Sequence, residues 1–213
     1  MIRKIFGASI ISLLILQFFY VYFEAGPVNA ATVSDNVIVS LVVDAGLTIT
    51  SPVDVSMSPN ISMSANGSIG STAWTVRTNS PTGYTLALKA SASPALVSGA
   101  NSFADYTEAV NGTPEVWSVP SGSKEFGFSA YGTDVAGGTA VWGTGAGCGS
   151  SGTPLGTMRY VGFETTDKTV ASTSTVTPVA GSTTNVCFAA EQDGIYAASG
   201  TYTATITATA TTT

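Results

Sequence analysis

Two cysteines, Cys148 and Cys187, are the only side chains in the 213-residue sequence able to join distant parts of the chain covalently by oxidation. Cys148 lies in Gly145-Ala146-Gly147-Cys148-Gly149, and Cys187 lies in the apolar stretch from Asn185 to Ala190. A reactive thiol needs a neighbouring base or cation to stabilise its thiolate, and neither cysteine has one close in sequence. In an exported chain with two cysteines the expectation is a disulfide between them. It would pin a Gly-rich loop to the body of the protein. Closing a loop of about 40 residues is worth roughly 3–4 kcal/mol on the chain-entropy estimate.

Acid–base and nucleophilic chemistry find little support. There is no His anywhere, so the commonest general base and the commonest transition-metal ligand are missing. Asp105 and Glu108 would share a face if residues 103–110 formed a short helix, and the reading for them is a solvated face. A glycosidase needs two carboxylates held in one cleft with separated pKa values. Glu191-Gln192-Asp193-Gly194 has the acidity of a calcium-loop fragment but too few oxygen ligands, and reads as a hairpin turn. No Gly-x-Ser-x-Gly elbow occurs, and Ser123-Lys124 keeps a Ser–Lys dyad open. These features predict no catalytic residue, no cofactor and no metal.

Aromatic side chains are the remaining candidates for recognition. Trp74 sits on an alternating strand and is expected in the core. Trp117, Trp142 and Tyr131 lie where the sequence is irregular, and are the candidates for contact with a glycan or a protein partner, beside the favoured reading that Trp117 and Trp142 pack in the body of the protein. Asn60-Ile61-Ser62, Asn66-Gly67-Ser68 and Asn111-Gly112-Thr113 are N-glycosylation sequons if the host modifies Asn.

The elements that must position these residues are read from composition and period. Charged residues make up 9% of the chain, against roughly 25% in ordinary soluble domains, and 31 residues are Thr. A net charge of −6 without a basic cluster argues against nucleic-acid binding. A hydrophobic content of 44% at low charge argues against disorder. Arg3 and Lys4 precede an uncharged run from Ile5 to Phe23, and Val28-Asn29-Ala30 supplies small residues before Ala31. This is the layout of a signal peptide over residues 1–30. The apolar run also approaches the length of an uncleaved membrane anchor. A prepilin leader after Gly7 would want Glu at position 12, which is Ser. Cleavage before Ala31 leaves 183 residues with 12 acids and 5 bases, a formal −7, and no further membrane span is expected.

Beyond Ala31 the chain reads as short strands and turns. Val37 to Val43 is a continuous β-branched run suited to a buried strand. Leu47–Thr50, Val53–Met57, Met158–Phe163, Val170–Val179 and Asn185–Ala190 carry strand character. Thr72–Thr78 and Tyr84–Lys89 flank a turn with Pro81 and Gly83, which predicts a β-hairpin. Residues 98–157 read as an irregular, Gly-rich insert; Ser121 to Gly156 alone holds eleven Gly, a density that argues against long strands. Tyr202 to Ala210 alternates apolar residues with Thr, the mark of a half-buried antiparallel strand. Eight or nine strands without a helical layer predict an all-β, antiparallel β-sandwich forming a single domain over 31–213, with a Gly-rich inserted loop.

Trp74-Thr75-Val76, Trp117-Ser118-Val119 and the terminal strand from Gly200 to Ile206, behind a signal peptide, resemble the WxL surface domains of Gram-positive bacteria. Both motifs carry Val where that family has Leu. The resemblance implies a cell-surface location and non-covalent attachment to peptidoglycan. The expectation is an exported, non-enzymatic bacterial surface protein, secreted and held at the cell wall, whose partners are a wall polymer or other surface proteins, with self-association. A fibre or pilus subunit built by strand sharing is the alternative, and a secreted hydrolase a distant one.

Overall fold

The computed structural model describes residues 32–50 and 52–213, so the targeting segment expected over 1–30 lies outside the described residues. The chain divides into two units, Met1–Val42 and Val43–Thr213. The described part of the first unit, residues 32–42, contains no helix or strand. The β-branched run is therefore not the buried strand its composition predicts: Val37, Ile38 and Val39 are 83%, 91% and 89% exposed. Propensity alone gives a strand nothing to pair with.

The described residues of the second unit form a β-sandwich of thirteen strands, several of them two or three residues long. The larger sheet runs in the order β1 (Leu47–Ile49), β2 (Gly67–Thr78), β12 (Ser182–Asp193), β7 (Ser123–Gly132), β10 (Arg159–Gly162) and β6 (Glu115–Val116). β5 (Asn101–Asp105) adds to β7 in parallel and carries β4 (Leu96–Ser98). The smaller sheet is β11 (Lys168–Thr173), β3 (Tyr84–Ala90) and β13 (Ile206–Thr212). β8 (Gly149–Ser150) and β9 (Thr153–Pro154) form a small ribbon, and α1 (Gly138–Trp142) is a single helical turn.

The core lies between the two sheets. Trp74, Val76, Phe128, Val186 and Phe188 from the larger sheet meet Tyr84, Leu86, Leu88, Val170 and Ala171 from the smaller one. Phe163 is its aromatic centre, stacked on Phe128 at 4.4 Å and on Phe126 at 5.1 Å between ring centroids.

The expected hairpin at 72–89 is corrected by this arrangement. β2 and β3 do not pair; the turn between them carries the chain from one sheet to the other. Its local chemistry is as read, since the Gly83 N–H donates to the Ser80 carbonyl at 3.1 Å and Gly83 adopts a φ of +82°. A Cβ there would also come within 2.0 Å of the Thr173 carbonyl oxygen. The apolar faces of both strands are satisfied by facing one another across the core, which a hairpin in one sheet would prevent. Glu191–Gly194 is likewise not a hairpin turn, because β12 continues to Asp193 and the next strand, β13, belongs to the other sheet.

Residues 98–157 are also more regular than their glycines suggest. Ser123–Gly132 forms a ten-residue strand in the interior of the larger sheet, and the Gly-rich loop itself follows it. Residues 103–110 hold strand β5 and an irregular segment rather than a helix. Asp105 is occupied by the preceding turn: its carboxylate accepts from the Ala95 N–H at 2.9 Å and the Ser93 hydroxyl at 2.6 Å.

Candidate functional site

Strand β12 presents Cys187, Ala189 and Glu191 on the outer face of the larger sheet, and β7 presents Glu125, Gly127, Ser129 and Tyr131 beside them. The register pairs Glu191 with Glu125, Ala189 with Gly127, Cys187 with Ser129 and Asn185 with Tyr131. An outer face of this composition would ordinarily be wet. Here a second, smaller cluster covers it, built from Tyr106, Met158, Tyr160, Cys187 and Ala189, with Trp117, Tyr131, Cys148 and Leu155 packed on its margin.

The disulfide organises this cover. Cys148 is bonded to Cys187, with Cα atoms 5.2 Å apart and a sequence separation of 39. The Gly-rich loop is thus fastened to the middle of the central strand, as its sequence predicts. Tyr160 adds a second fastening, its hydroxyl donating to the Cys148 carbonyl at 3.3 Å. Burial pushes the Tyr160 phenol up to about 12.

Trp117 and Tyr106 lie over Gly127. Their rings stack at 4.5 Å with planes 19° apart, and Tyr160 meets Trp117 edge-on at 5.3 Å. A Cβ on Gly127 would approach the Tyr106 Cβ to 2.8 Å, so the missing side chain is what lets the aromatic pair settle on the sheet. The Trp117 indole N–H donates to Glu191 Oε2 at 2.6 Å. The Tyr106 hydroxyl donates to the Val116 carbonyl at 3.1 Å and accepts from the Ser118 N–H at 3.2 Å. Tyr106 is pushed up to about 12, chiefly by burial.

Carboxylates ring the aromatic pair. Glu125 is 5% exposed, and its Oε2 has no hydrogen-bond partner. Burial raises its pKa, a hydrogen bond from the Thr107 backbone opposes the rise, and the charges of Glu108 and Glu115 add to it. Glu108, expected on a solvated face, is buried instead, its carboxylate accepting from the backbone N–H groups of Gly162 and Gly112. That bond holds the 108–112 loop against β10. Glu191, on the margin, lines a depression of about 290 Å³ with Ser64, Asn66, Gly67, Ser151, Gly152 and Thr153.

The three candidate contact residues do not converge. Trp117 and Tyr131 are half-buried on the outer face. Trp142 is 2% exposed, its N–H donating to the Ala136 carbonyl at 3.0 Å and its ring 5.8 Å from Phe128. It is a core residue at the end of α1, so its role as a surface contact is corrected. The amphiphilic turn from Gly138 to Trp142 turns its one large ring inward. Trp74, at 8% exposure, is in the core as expected. The acid that sequence reasoning missed is Glu125. Its place on an alternating polar face reads as solvent, and nothing in the strand itself announces that Trp117 and Tyr106 will cover it.

Glu125 and Glu191 are paired across the ladder. They do not open on one cleft among the described residues, since the depression is lined by Glu191 and not by Glu125. No group of three or more acidic or Cys side chains is placed to hold a metal ion among the described residues. No helix among them is long and apolar enough to cross a membrane. No family model, no curated protein and no solved structure matches the chain.

Proposed function

We propose that this chain is an exported, non-enzymatic protein of a bacterial cell surface, a β-sandwich that serves in wall association, adhesion or a surface layer. The observation that carries the reading is the Cys148–Cys187 bond, in a chain with no other cysteine. Structural disulfides persist in oxidising compartments outside the cytosol. The amino-terminal layout of Arg3, Lys4, the apolar run and Val28-Asn29-Ala30 supports the same location. So does a surface rich in Thr and Ser hydroxyls with few charges, suited to close approach to another hydroxylated surface. The degenerate WxL pattern points to a wall polymer as partner. Its contact would be the depression lined by Glu191, the carboxylate that accepts from the Trp117 N–H.

Fractionation of the host cell, followed by pull-down of the purified protein on wall sacculi, tests the reading. The protein is expected in the wall fraction, in a form beginning at Ala31, and bound to sacculi more weakly after Trp117→Ala. Recovery from the cytoplasm with Met1 intact would overturn it.

A further inference from the structure

The smaller sheet is closed on one side and open on the other. Along β11 the closing is done by residues 134–136: Ala136 N–H donates to Val170 at 2.9 Å, Ser172 N–H donates to Asp134 at 2.7 Å, and Val135 bridges Ala171. Along β13 no backbone pairing of this kind is present among the described residues; strand β1 of the larger sheet approaches it without pairing. Among the described residues, the only backbone partners of Ile206–Thr212 lie on β3. The consequence shows in burial. Tyr84, Leu86 and Leu88 on β3 and Val170 and Ala171 on β11 are at most 1% exposed, whereas the inward Ile206, Ala208 and Ala210 of β13 are only half-buried. Natural edges are usually blunted by a charge, a proline or a bulge. The edge Ile206-Thr-Ala-Thr-Ala-Thr-Thr212 has none of these.

The same chain carries a segment of strand composition that forms no strand. Val37–Val43 is uncharged, seven residues long like β13, and bounded by Asp35 and Asp44. In an extended strand Val37, Val39, Leu41 and Val43 would share one face, with Ile38, Ser40 and Val42 on the other. All six of its apolar side chains are at least 73% exposed. Its carboxyl end is held in place: Asn79 donates to the Asp44 carbonyl and accepts from the Gly46 N–H, both at 2.7 Å.

We propose that Val37–Val43 of one copy adds to β13 of a second copy as a fourth strand of the smaller sheet. The Val37, Val39, Leu41 and Val43 face covers Ile206, Ala208 and Ala210, and the backbone completes the open edge. Each copy offers one donor segment and one acceptor edge. The contact is heterologous and, where the rotation between copies does not close a ring or a reciprocal pair, propagates into a filament. This gives the proposed surface protein its partner, a further copy of itself, and rests on export only for the removal of residues 1–30, which would leave the donor near a free end.

Cross-linking between copies tests it on the purified chain beginning at Ala31. Ser40→Cys protein is mixed under mild oxidation with Thr207→Cys, Thr209→Cys or Thr211→Cys protein, which sample the outward face in three registers. A heterodimer is expected from at least one pairing, and it should disappear when Leu41→Asp is added to the Ser40→Cys chain. By sedimentation the unmodified chain is expected to form oligomers that grow with concentration, and the Leu41→Asp variant to be monomeric with an unchanged circular dichroism spectrum. A monomer at every concentration overturns the proposal. So does a cross-link that forms only within one chain of a Ser40→Cys/Thr209→Cys double variant, since the segment would then close its own sheet. Neither result alters where fractionation finds the protein, so the surface reading stands or falls separately.

Discussion

The Trp117 indole N–H reaches Glu191 Oε2 at 2.6 Å, joining an irregular segment to the outer face of the central strand 74 residues away. A hydrogen bond to a charged group contributes about 1.5–3 kcal/mol when its surroundings are partly dry. A double-mutant cycle with Trp117→Phe and Glu191→Gln should therefore return a coupling of at least ~1 kcal/mol in chemical unfolding. A coupling indistinguishable from zero would mean that water competes fully for both groups.

Glu125 should make the protein less stable as pH rises from about 4.5. Its folded pKa lies above the ordinary value of 4.5, chiefly through burial, so the folded state prefers the protonated acid. The stability this contributes is complete below the unfolded value and is lost as pH rises through the folded one. Glu125→Gln keeps a carbonyl to accept from Thr107 and cannot ionise. The variant is expected to match the parent at acid pH, to exceed it at neutral pH, and to show a flatter profile between. Superimposable melting curves at both ends would remove Glu125 from the account.

Reduction of Cys148–Cys187 should cost roughly 3–4 kcal/mol for a loop of this length. The loss is expected to fall on the outer cluster first, seen as Trp117 fluorescence moving to the red, while the β7–β12 ladder and the inner core survive. A thiol assay on the chain purified without reductant should find no free cysteine. Two thiols per chain would contradict the bond.

Trp74→Ala empties a site that is 8% exposed and faces Tyr84, Leu86 and Leu88 in one cluster. Deleting such a ring costs about 3–5 kcal/mol. The expected readout is a lower melting temperature with weakened near-ultraviolet dichroism. An unchanged melting temperature would show that the ring packs on the surface instead.

Alternation made much of the sandwich legible. Trp74 and Val76, and Tyr84, Leu86 and Leu88, each announce a strand with one buried face, and each is found as one; of the alternating Tyr202–Ala210 stretch only the part from Ile206 is strand, with its inward face half-buried. Pairing was not legible, because a turn built on Pro81 and Gly83 has the same local chemistry whether its strands lie side by side or across a core. Ser123–Gly132 was hidden by its own glycines, of which Gly127 serves a neighbour rather than the strand. Of the outer cluster, the two cysteines could be read from the sequence. Glu125 and Glu108 could not, since their burial is made by Tyr106, Trp117 and Gly162, residues that approach only after the chain has folded.

The crossing of the chain between sheets at Ser80–Gly83 also sets an order of events. β2 pairs early only with the three residues of β1; its other edge must wait for β12, which begins at Ser182, and β3 must wait for β11 and β13. Nearly all the long ladders join segments far apart in sequence, a topology that folds slowly. A chain threaded outward from its amino terminus would therefore have its last thirty or so residues delivered before the sandwich could close. For the exported chain proposed above, which would cross a membrane as an open thread, such lateness would keep it narrow enough to pass.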